Sequence, residues 1–253
     1  MSQEERLIEI ERILKFEGKI TLESICNIFQ ISKDSARRDL VKVTLLPNVV
    51  RIRGGAIYSE ARKFHPYLER VKDFDDKILL CQRAASLLRD NDVVFFDAGS
   101  TSAQIAGSLS VSASVITNSL DVLNALVTKE HVSLTVLGGS FDHYSHTIES
   151  NTTLDQISNY HADVAFIGVS AISDSGITTG TEIDALVKKK MASNSERVVC
   201  VMSSKKFNSR LMFQSCSWED IDQIITDELP PDNIAKLIEL HDVQLTIIGK
   251  IDA

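Results

Sequence analysis

Apolar residues recur at helical spacing along the first 45 residues and predict three amphipathic helices. The first helix carries the stripe Leu7, Ile10 and Leu14. The second, Thr21–Phe29, carries Leu22, Ile25, Cys26 and Phe29. After a short turn, Gln30–Ser32, a third helix capped by Ser32 places Ala36, Leu40 and Val43 on one face. Two short helices joined by a tight turn indicate a helix-turn-helix.

The opposite face of the third helix is basic and polar. It carries Lys33, Ser35, Arg37, Arg38 and Lys42. The extended run Val49–Gly55 follows and ends in a glycine pair, which predicts a two-stranded wing bearing Arg51 and Arg53. Residues 31–53 hold six basic and two acidic residues, a net charge of +4 in a chain whose total is −8. This concentration of positive charge favours contact with a DNA backbone; the pattern alone leaves open two ordinary surface helices with solvated charges.

Beyond residue 73 the pattern changes to apolar strand-like runs that alternate with helical stretches. The acidic cluster Asp73, Asp75 and Asp76 opens a helix that runs to about Leu88. The predicted strands are Asp92–Phe96, Ser114–Thr117, Ser133–Leu137, Val164–Gly168, Arg197–Met202, Gln223–Thr226 and Gln244–Ile248. The predicted helices between them are Thr101–Leu109, Leu120–Leu126, Leu154–Tyr160, Glu182–Ser195 and Asn233–His241. Such alternation predicts a mostly parallel, doubly wound α/β sheet that binds ligands where its strands end.

Small polar residues cluster at those predicted strand ends. The segment Asp97–Ser102 places a glycine and three hydroxyls between a buried strand and a helix N-terminus, where backbone amides can hold a phosphate. A plain turn in which Ser100 or Thr101 caps the helix remains the alternative. Further loops of this kind are Thr117–Ser119, Gly138–Ser140, Gly168–Ser170 and Gly176–Thr181. Several such loops on one edge of a sheet favour a phosphate-bearing ligand.

Length and charge indicate two domains and a linker. The 253 residues divide into a DNA-binding domain (1–57), a linker (58–72) and a larger effector domain (73–253). Residues 1–63 carry a net charge of +3 and the remainder −11, so the larger domain is repelled from DNA and has another task. No apolar run approaches the roughly 20 residues of a membrane span, and the charged N-terminus is unlike a signal peptide. We therefore expect a cytoplasmic protein with no membrane partner.

The remaining reactive side chains do not suggest a metal or other cofactor. The four cysteines, Cys26, Cys81, Cys200 and Cys216, lack a C-x-x-C pair and are expected to be small buried thiols. His143 and His146 would need further ligands to hold a metal, and we expect loop residues or contacts to a sugar hydroxyl instead. The lone Trp218 is expected in the core or an interface.

Two motif sets resemble those of the DeoR family of bacterial transcriptional repressors. In the amino-terminal part, Arg37-Arg38-Asp39-Leu40 and Arg51-Ile52-Arg53-Gly54-Gly55-Ala56 are similar to the family's winged helix-turn-helix, although Arg53 stands where the family usually has His. In the larger part, the matching segments are Asp97–Thr101, Thr117–Ser119, Gly138-Gly139, Asp163–Gly168 and Ile225–Asp227. Ser150 replaces a family glycine, and the family's D-x-S-K appears only within Met202–Phe207.

The resemblance implies a repressor of a carbohydrate-metabolism operon whose larger domain is similar in fold to ribose-5-phosphate isomerase. It implies operator DNA as partner, a phosphorylated sugar or polyol as effector, and assembly as a homo-dimer or homo-tetramer. The candidate effector-binding residues are Asp97, Gly99, Ser100, Thr101, Ser102, Thr117, Asn118, Ser119, Gly138, Gly139, Ser170, Thr179, Glu182, Lys205 and Lys206.

The alternative is a sugar-phosphate isomerase with an appended DNA-binding domain. Aldose–ketose isomerisation needs a carboxylate base in the pocket, and acidic residues follow the fourth strand in the isomerases that this domain resembles. This chain has the apolar and hydroxyl residues Ile167–Ile172 there. Glu182 and Asp184 lie downstream, but Glu182 opens a helix, where a carboxylate equally serves the helix dipole. The sequence therefore favours a sensor without catalytic residues.

Overall fold

The computed structural model describes residues 3–17, 19–44, 46, 49–52, 54–58 and 77–249. The chain divides into two compact units, Met1–Lys63 and Phe64–Ala253, here called the amino-terminal and the carboxy-terminal unit. The predicted linker beyond Tyr58, the acidic cluster at 73–76 and the side chain of Arg53 lie outside the described residues. Among the helices that are described, none is long and apolar enough to cross a membrane.

The amino-terminal unit contains the three predicted helices and the predicted wing. Its elements are α1 Gln3–Glu17, β1 Lys19–Thr21, α2 Leu22–Phe29, α3 Lys33–Val43, β2 Val49–Ile52 and β3 Gly55–Tyr58. The caps explain where the helices begin, because Thr21 Oγ1 accepts from the Ser24 amide and Ser32 Oγ from the Ser35 amide. Between them Gln30 adopts a left-handed conformation that ends α2. The predicted cap at Ser32 is therefore confirmed.

The core of this unit is formed by the predicted apolar faces. Ile10, Leu14, Ile25, Ala36 and Val43 are each fully buried in one cluster. The wing strands β2 and β3 pair antiparallel, and the short strand β1, which we did not predict, adds to the free side of β3. Gly55 permits this pairing, since a Cβ there would lie 2.2 Å from the carbonyl oxygen of Ile20.

The carboxy-terminal unit is a parallel sheet with helices on both faces. Its helices are α4 Ile78–Ala85, α5 Ser100–Gly107, α6 Leu120–Leu126, α7 Asn151–Ile157, α8 Glu182–Ser193 and α9 Asp232–Leu240. The large sheet contains β4 Asp92–Phe96, β5 Ala113–Thr117, β6 Val132–Val136, β9 Ala162–Gly168, β12 Ser195–Val201, β14 Gln223–Thr226 and β15 Gln244–Ile247. The two small sheets contain β7 Ser140–Asp142, β8 Thr147–Glu149, β10 Ala171–Ser173, β11 Gly176–Thr179 and β13 Phe213–Cys216.

The large sheet has the strand order β15-β14-β12-β9-β4-β5-β6, and each pair of neighbouring strands in it is parallel. Alternate residues of one strand face opposite layers: Phe95 joins the cluster that includes Val187 and Met191 of α8, whereas Phe96 joins the cluster with α4, α5 and α6. The chain winds from β4 toward β6 on one side and from β9 toward β15 on the other. The switch point therefore lies between β4 and β9, where sheets of this class bind ligands.

Several sequence predictions differ from the structure. The segment Gly176–Thr179, predicted as part of a loop, is strand β11, which pairs with β10 and with β13 in a separate antiparallel sheet. The helix predicted at Leu154–Tyr160 begins three residues earlier because Ser150 caps it through the Thr153 amide. The loop that contains His143 joins the two strands β7 and β8 of a hairpin. The seven predicted strands of the large sheet are confirmed within about two residues at their ends.

Candidate functional site

The first candidate site is the outward face of α3. Lys33, Arg37, Arg38 and Lys42 are exposed, and Ser35 is half-buried beside the helix cap. Arg51 is exposed on β2 of the wing. Apart from Ser35, all of these positions are cationic. One exposed carboxylate, Asp34, lies on the same face, 3.4 Å from Arg37. The arrangement places positive charge on the side of α3 that the core does not use.

The acidic residue of the tetrapeptide Arg37-Arg38-Asp39-Leu40 faces inward, unlike the two arginines. It is fully buried and accepts a hydrogen bond from Arg6 Nε at 2.8 Å and one from Gln3 Nε2 at 2.7 Å. Burial opposes ionisation, but these donors more than offset it, so the pKa of Asp39 lies below its ordinary value. Asp39 therefore fastens α3 to α1 and fixes the direction in which Arg37 and Arg38 point.

The second candidate site is the carboxyl edge of the large sheet, meaning the side on which its parallel strands end. Asp97, Gly99 and Ser100 follow β4, Thr117 ends β5, and Asn118 and Ser119 follow it; all six are buried. Gly138 and Gly139 follow β6, Ser170 follows β9, and Lys205 and Lys206 lie in a 3-10 turn after β12. Glu182 is exposed at the start of α8, and Ser102 is buried in the first turn of α5 with the half-buried Thr101. The edge thus carries the predicted effector residues.

Not all of these residues can touch one small ligand. Four strand spacings separate β12 from β6, a span of about 19 Å, so Lys205 and Lys206 flank one side and Gly138 and Gly139 the other. Each flank is also used locally: Gly138 accepts from Thr153 Oγ1 and donates to Gln156, and Asp227 accepts from the Ser204 amide at 2.6 Å. The buried polar groups are concentrated at the centre, on β9, β4 and β5.

At that centre Asp97 belongs to a buried ionic network. Its Oδ2 lies 2.6 Å from Nζ of Lys188 and accepts a hydrogen bond from the Gly168 amide at 2.9 Å. The same ammonium lies 2.5 Å from Oδ1 of Asp184, whose other oxygen accepts from the Thr179 hydroxyl. Thr179 therefore reaches Asp97 only through Asp184 and Lys188.

The acidic groups of this network outnumber the basic ones, because the two carboxylates Asp97 and Asp184 share the one ammonium of Lys188. Burial lowers the pKa of Lys188, but Asp184 and Asp97 more than offset that effect and leave it above its ordinary value. Burial raises the pKa of Asp97, and Lys188 offsets only part of the increase. Burial and the nearby Asp184 also raise the pKa of the half-buried Glu149. The centre of the edge is therefore rich in hydrogen-bond acceptors.

Lys188 was not predicted as a site residue from the sequence, and Asp184 was considered only as a downstream carboxylate that could enter the pocket. The available signal was their phase, because both lie on the same face of α8 as Val187 and Met191, which are fully buried. A charged pair spaced i, i+4 on an apolar face indicates a buried ion pair. The run Lys188-Lys189-Lys190 obscured that signal, since Lys189 on the same helix is exposed.

The cysteines, the tryptophan and the two histidines singled out in the sequence contribute to packing or to local contacts. The four cysteines are free thiols; Cys81, Cys200 and Cys216 are buried as expected, whereas Cys26 is only half-buried. Trp218 is a core residue whose indole N–H donates to the Ser173 carbonyl. His146 lies 3.2 Å from Asp121, and His143 packs edge-on against Phe141. Within the described residues no group of three or more His, Cys, Asp or Glu side chains is arranged to hold a metal.

A cavity of about 250 Å³ lies at the opposite, amino-terminal edge of the sheet. It is lined by Val93, His161, Ala162, Asp163, Ser193, Asn194, Ser195 and Glu196. Two of its polar groups serve the fold: Asp163 accepts from the Val93 amide, and Asn194 donates to the carbonyls of Ile157 and Tyr160. The cavity lies far from the switch point, and the candidate site remains the carboxyl edge.

Known proteins resemble the chain along nearly its whole length. A family model described as the DeoR C terminal sensor domain matches residues 72–228, and one described as a DeoR-like helix-turn-helix domain matches residues 6–62. The HTH-type transcriptional repressor GlcR of Bacillus subtilis (strain 168) is 37% identical over 250 residues, which cover 98% of this chain and 97% of GlcR. The glycerol-3-phosphate regulon repressor of Escherichia coli (strain K12) is 26% identical over 251 residues, covering 98% and 100% of the two chains.

Solved structures resemble the chain more weakly. Ribose 5-phosphate isomerase A of Methanocaldococcus jannaschii covers 53% of this chain and 55% of its own, with 18% identity and a TM-score of 0.39. A likeness of this size carries no argument about function.

Proposed function

Because the chain belongs to the DeoR family of transcriptional repressors, we propose that it represses a carbohydrate-metabolism operon under the control of a phosphorylated sugar or polyol. The proposal assigns operator binding to the amino-terminal unit and effector binding to the carboxyl edge of the large sheet. The observation that carries it is the division of charge on α3: Arg37 and Arg38 are exposed while the adjacent Asp39 is buried against Arg6.

The DNA-binding part of the proposal follows from the geometry of α3. Its exposed face is free of core contacts, so the helix can enter a major groove with Lys33, Ser35, Arg37, Arg38 and Lys42 near bases and phosphates. Arg51 on β2 would then contact the DNA backbone beside the groove, and we assign the same role to Arg53. Two amino-terminal units in a homo-dimer or homo-tetramer would read half-sites separated by whole helical turns of about 34 Å.

The effector part rests on the carboxyl edge. The amino end of α5 supplies the amides of Ser100, Thr101 and Ser102 beside the switch point, and such an amide group favours a phosphate. Lys205 or Lys206 would add positive charge from the neighbouring turn after β12. The name of the Escherichia coli relative, a repressor of a glycerol-3-phosphate regulon, supports a ligand of this class.

We assign no catalytic step to this site. The two carboxylates of the buried ionic network, Asp97 and Asp184, are both bound to the Lys188 ammonium, and the loop Gly168–Ser170 supplies no further carboxylate. An isomerase base must reach a carbon-bound proton of its substrate. Turnover of any pentose or hexose phosphate by the purified protein would contradict this assignment.

The DNA-binding assignment is tested by the salt dependence of operator affinity. A duplex is first selected from a random library with the full-length protein, and its dissociation constant is then measured over roughly 50–300 mM salt. Arg37→Ala and Arg38→Ala should each weaken binding and each reduce the slope of log affinity against log salt by about 0.9, the value for one phosphate contact.

Lys236→Ala is the matched control, since Lys236 is exposed on α9 of the other unit and its removal should leave the slope unchanged. Equal slopes for the wild type and the Arg37→Ala/Arg38→Ala variant would refute the DNA-binding assignment of α3.

A further inference from the structure

Two buried side-chain oxygens at the carboxyl edge have no hydrogen-bond partner among the described residues. They are Oδ1 of Asp97 and Oδ1 of Asn118. Asp97 directly follows Phe96 of β4, and Asn118 directly follows Thr117 of β5. Phe96 and Thr117 are paired in register on these adjacent strands. Asp97 and Asn118 therefore hold neighbouring positions at one edge, each directly after one of two adjacent strands. Buried acceptors without partners are rare, and each costs free energy until a donor is supplied.

The Asp97 carboxylate is held in a fixed orientation by its other oxygen. Lys188 and the Gly168 amide both contact Oδ2, and Lys188 is held in turn by Asp184. Gly168 lies so close to this carboxylate that a Cβ added there would be 2.8 Å from Asp97 Oδ2. With Oδ2 fully engaged, Oδ1 is the oxygen that remains available to a further donor.

Resting on the sugar-phosphate function proposed above, we propose that Asp97 Oδ1 and Asn118 Oδ1 form a subsite that reads two hydroxyl groups of the effector, with Lys188 as the positioning residue for Asp97. The chemistry of this place favours hydroxyl groups of the ligand over its phosphate end. Both atoms accept hydrogen bonds, and a phosphate oxygen offers none at neutral pH, whereas each carbohydrate hydroxyl donates one. The effector consequently lies with its phosphate toward the amino end of α5 and its hydroxyls toward β4 and β5.

The burial of both side chains adds a requirement for movement. Asp97 is fully buried and Asn118 is 1% exposed, so a ligand reaches them only when segments of the carboxyl edge rearrange. Occupation of the subsite is thereby coupled to a change in the carboxy-terminal unit. A sensor needs such coupling, because a ligand shifts only an equilibrium between states that it binds unequally.

The first test compares ligands on the full-length wild-type protein. Calorimetric titration and thermal unfolding are measured with inorganic phosphate, glycerol 3-phosphate, ribose 5-phosphate, 2-deoxyribose 5-phosphate, and the 1- and 6-phosphates of common hexoses with their single-deoxy analogues. A site built to hydrogen-bond a hydroxyl discriminates strongly against an analogue that lacks it. We expect removal of either of two particular hydroxyls from the best ligand to weaken binding at least tenfold.

The second test identifies which acceptor binds each hydroxyl of the ligand. Asn118→Leu should weaken the hydroxylated ligand at least tenfold but leave the affinity for one deoxy analogue nearly unchanged, since that analogue has already lost the contact. Asn124→Leu, at an exposed site on α6, is the matched control and should change neither affinity. Lys188→Met should likewise reduce the preference for the hydroxylated ligand over its deoxy analogue, and Lys188→Arg should restore part of it.

The outcomes separate this inference from the function on which it rests. If no phosphorylated compound binds, the proposed effector class fails and the subsite falls with it. If phosphorylated compounds bind but every deoxy analogue binds as tightly as its parent, the subsite alone is refuted. A loss of affinity that is equal for parent and deoxy ligands in Asn118→Leu and Lys188→Met would show that these residues only maintain the fold, and would also refute it.

Discussion

The buried Lys188 provides the sharpest stability prediction, since one ammonium holds two carboxylates. Its side chain is 3% exposed and lies within 2.6 Å of both Asp97 and Asp184, whose side chains are 0% and 7% exposed. In Lys188→Met the aliphatic volume is nearly conserved, so the cavity contribution is small. What remains is two buried carboxylates without a counter-ion. Breaking a buried pair in this way costs about 3–5 kcal/mol of unfolding free energy.

For a unit of this size that loss corresponds to a decrease in Tm of roughly 6–20 °C. The measurement is urea and thermal unfolding followed by fluorescence, because Trp218 is the only tryptophan of the chain and is buried in the carboxy-terminal unit. The signal therefore reports on that unit alone. Lys189→Met, at the exposed neighbouring position, should change the unfolding free energy by no more than about 0.5 kcal/mol.

A double variant tests the physical cause. If the loss arises from the uncompensated carboxylates, then adding Asp97→Asn to Lys188→Met should restore part of the stability, so that the two effects are not additive. Acidification should act in the same direction. The pKa of Asp97 is already raised by burial, and a group of this kind destabilises the fold as pH rises, so the loss in Lys188→Met should be smaller at about pH 5 than at about pH 8. Additive effects, or a Lys188→Met variant as stable as Lys189→Met, would refute the reasoning.

Two further predictions concern Asp39 and Gly168. Asp39→Asn should lower the stability of the amino-terminal unit by about 2–3 kcal/mol, because it removes a charged acceptor from Arg6 and Gln3, whereas Asp34→Asn on the exposed face should change it by about 0.5 kcal/mol or less. The pKa of Asp39 is lowered in the fold, so its contribution to the unfolding free energy is fully present above the unfolded pKa of about 3.9 and is lost as pH falls from that value through the folded pKa. Calorimetric scans in which wild type and Asp39→Asn respond identically to acid would contradict this. Gly168→Ala should displace the Asp97 carboxylate, cost about 1–3 kcal/mol and abolish the ligand-induced thermal shift without changing DNA affinity. Gly107→Ala, where an added Cβ meets nothing within 4 Å, should do neither.

Local patterns were sufficient for the elements that use a single face or a long apolar run. The strands of the large sheet are bounded by turn residues, and Val94, Phe95 and Phe96 are fully buried on both faces of the sheet. Ser32 and the stripe Ala36, Leu40 and Val43 likewise fix α3 from sequence spacing alone. In these elements the backbone hydrogen bonds and the apolar periodicity give the same answer.

Pairing between distant segments could not be read from local patterns. β11 pairs with β13, joining Ile177 to Cys216 across almost forty residues, and its four buried residues show no alternation. The three-residue strand β1 is defined only by its partner β3. Short strands of this kind have too few residues to show a period, so their existence depends on tertiary contacts.

The candidate site shows the same division. The motif Asp97–Ser102 could be placed at a strand end from sequence, but the partner of Asp97 could not, because Lys188 is 91 residues away and belongs to a run of three lysines. Only the phase of α8 separates the buried Lys188 from the exposed Lys189. An ion pair across two elements leaves no spacing signal, and its presence follows from the packing of α8 on the sheet.

The two acceptors that lack a donor raise the free energy of the carboxy-terminal unit in the conformation described. Each acceptor without a donor costs about 1–3 kcal/mol, and the two are buried where the adjacent strands β4 and β5 end. A ligand that supplies both donors recovers that free energy only in the conformation that lets it enter. For two acceptors the recovered amount is about 2–6 kcal/mol, which is at least as large as typical coupling free energies between two binding sites, about 1–3 kcal/mol. In the proposed subsite, two hydroxyl contacts at Asp97 and Asn118 would therefore be enough to change operator affinity by one to two orders of magnitude, provided that the rearranged state holds the amino-terminal units differently.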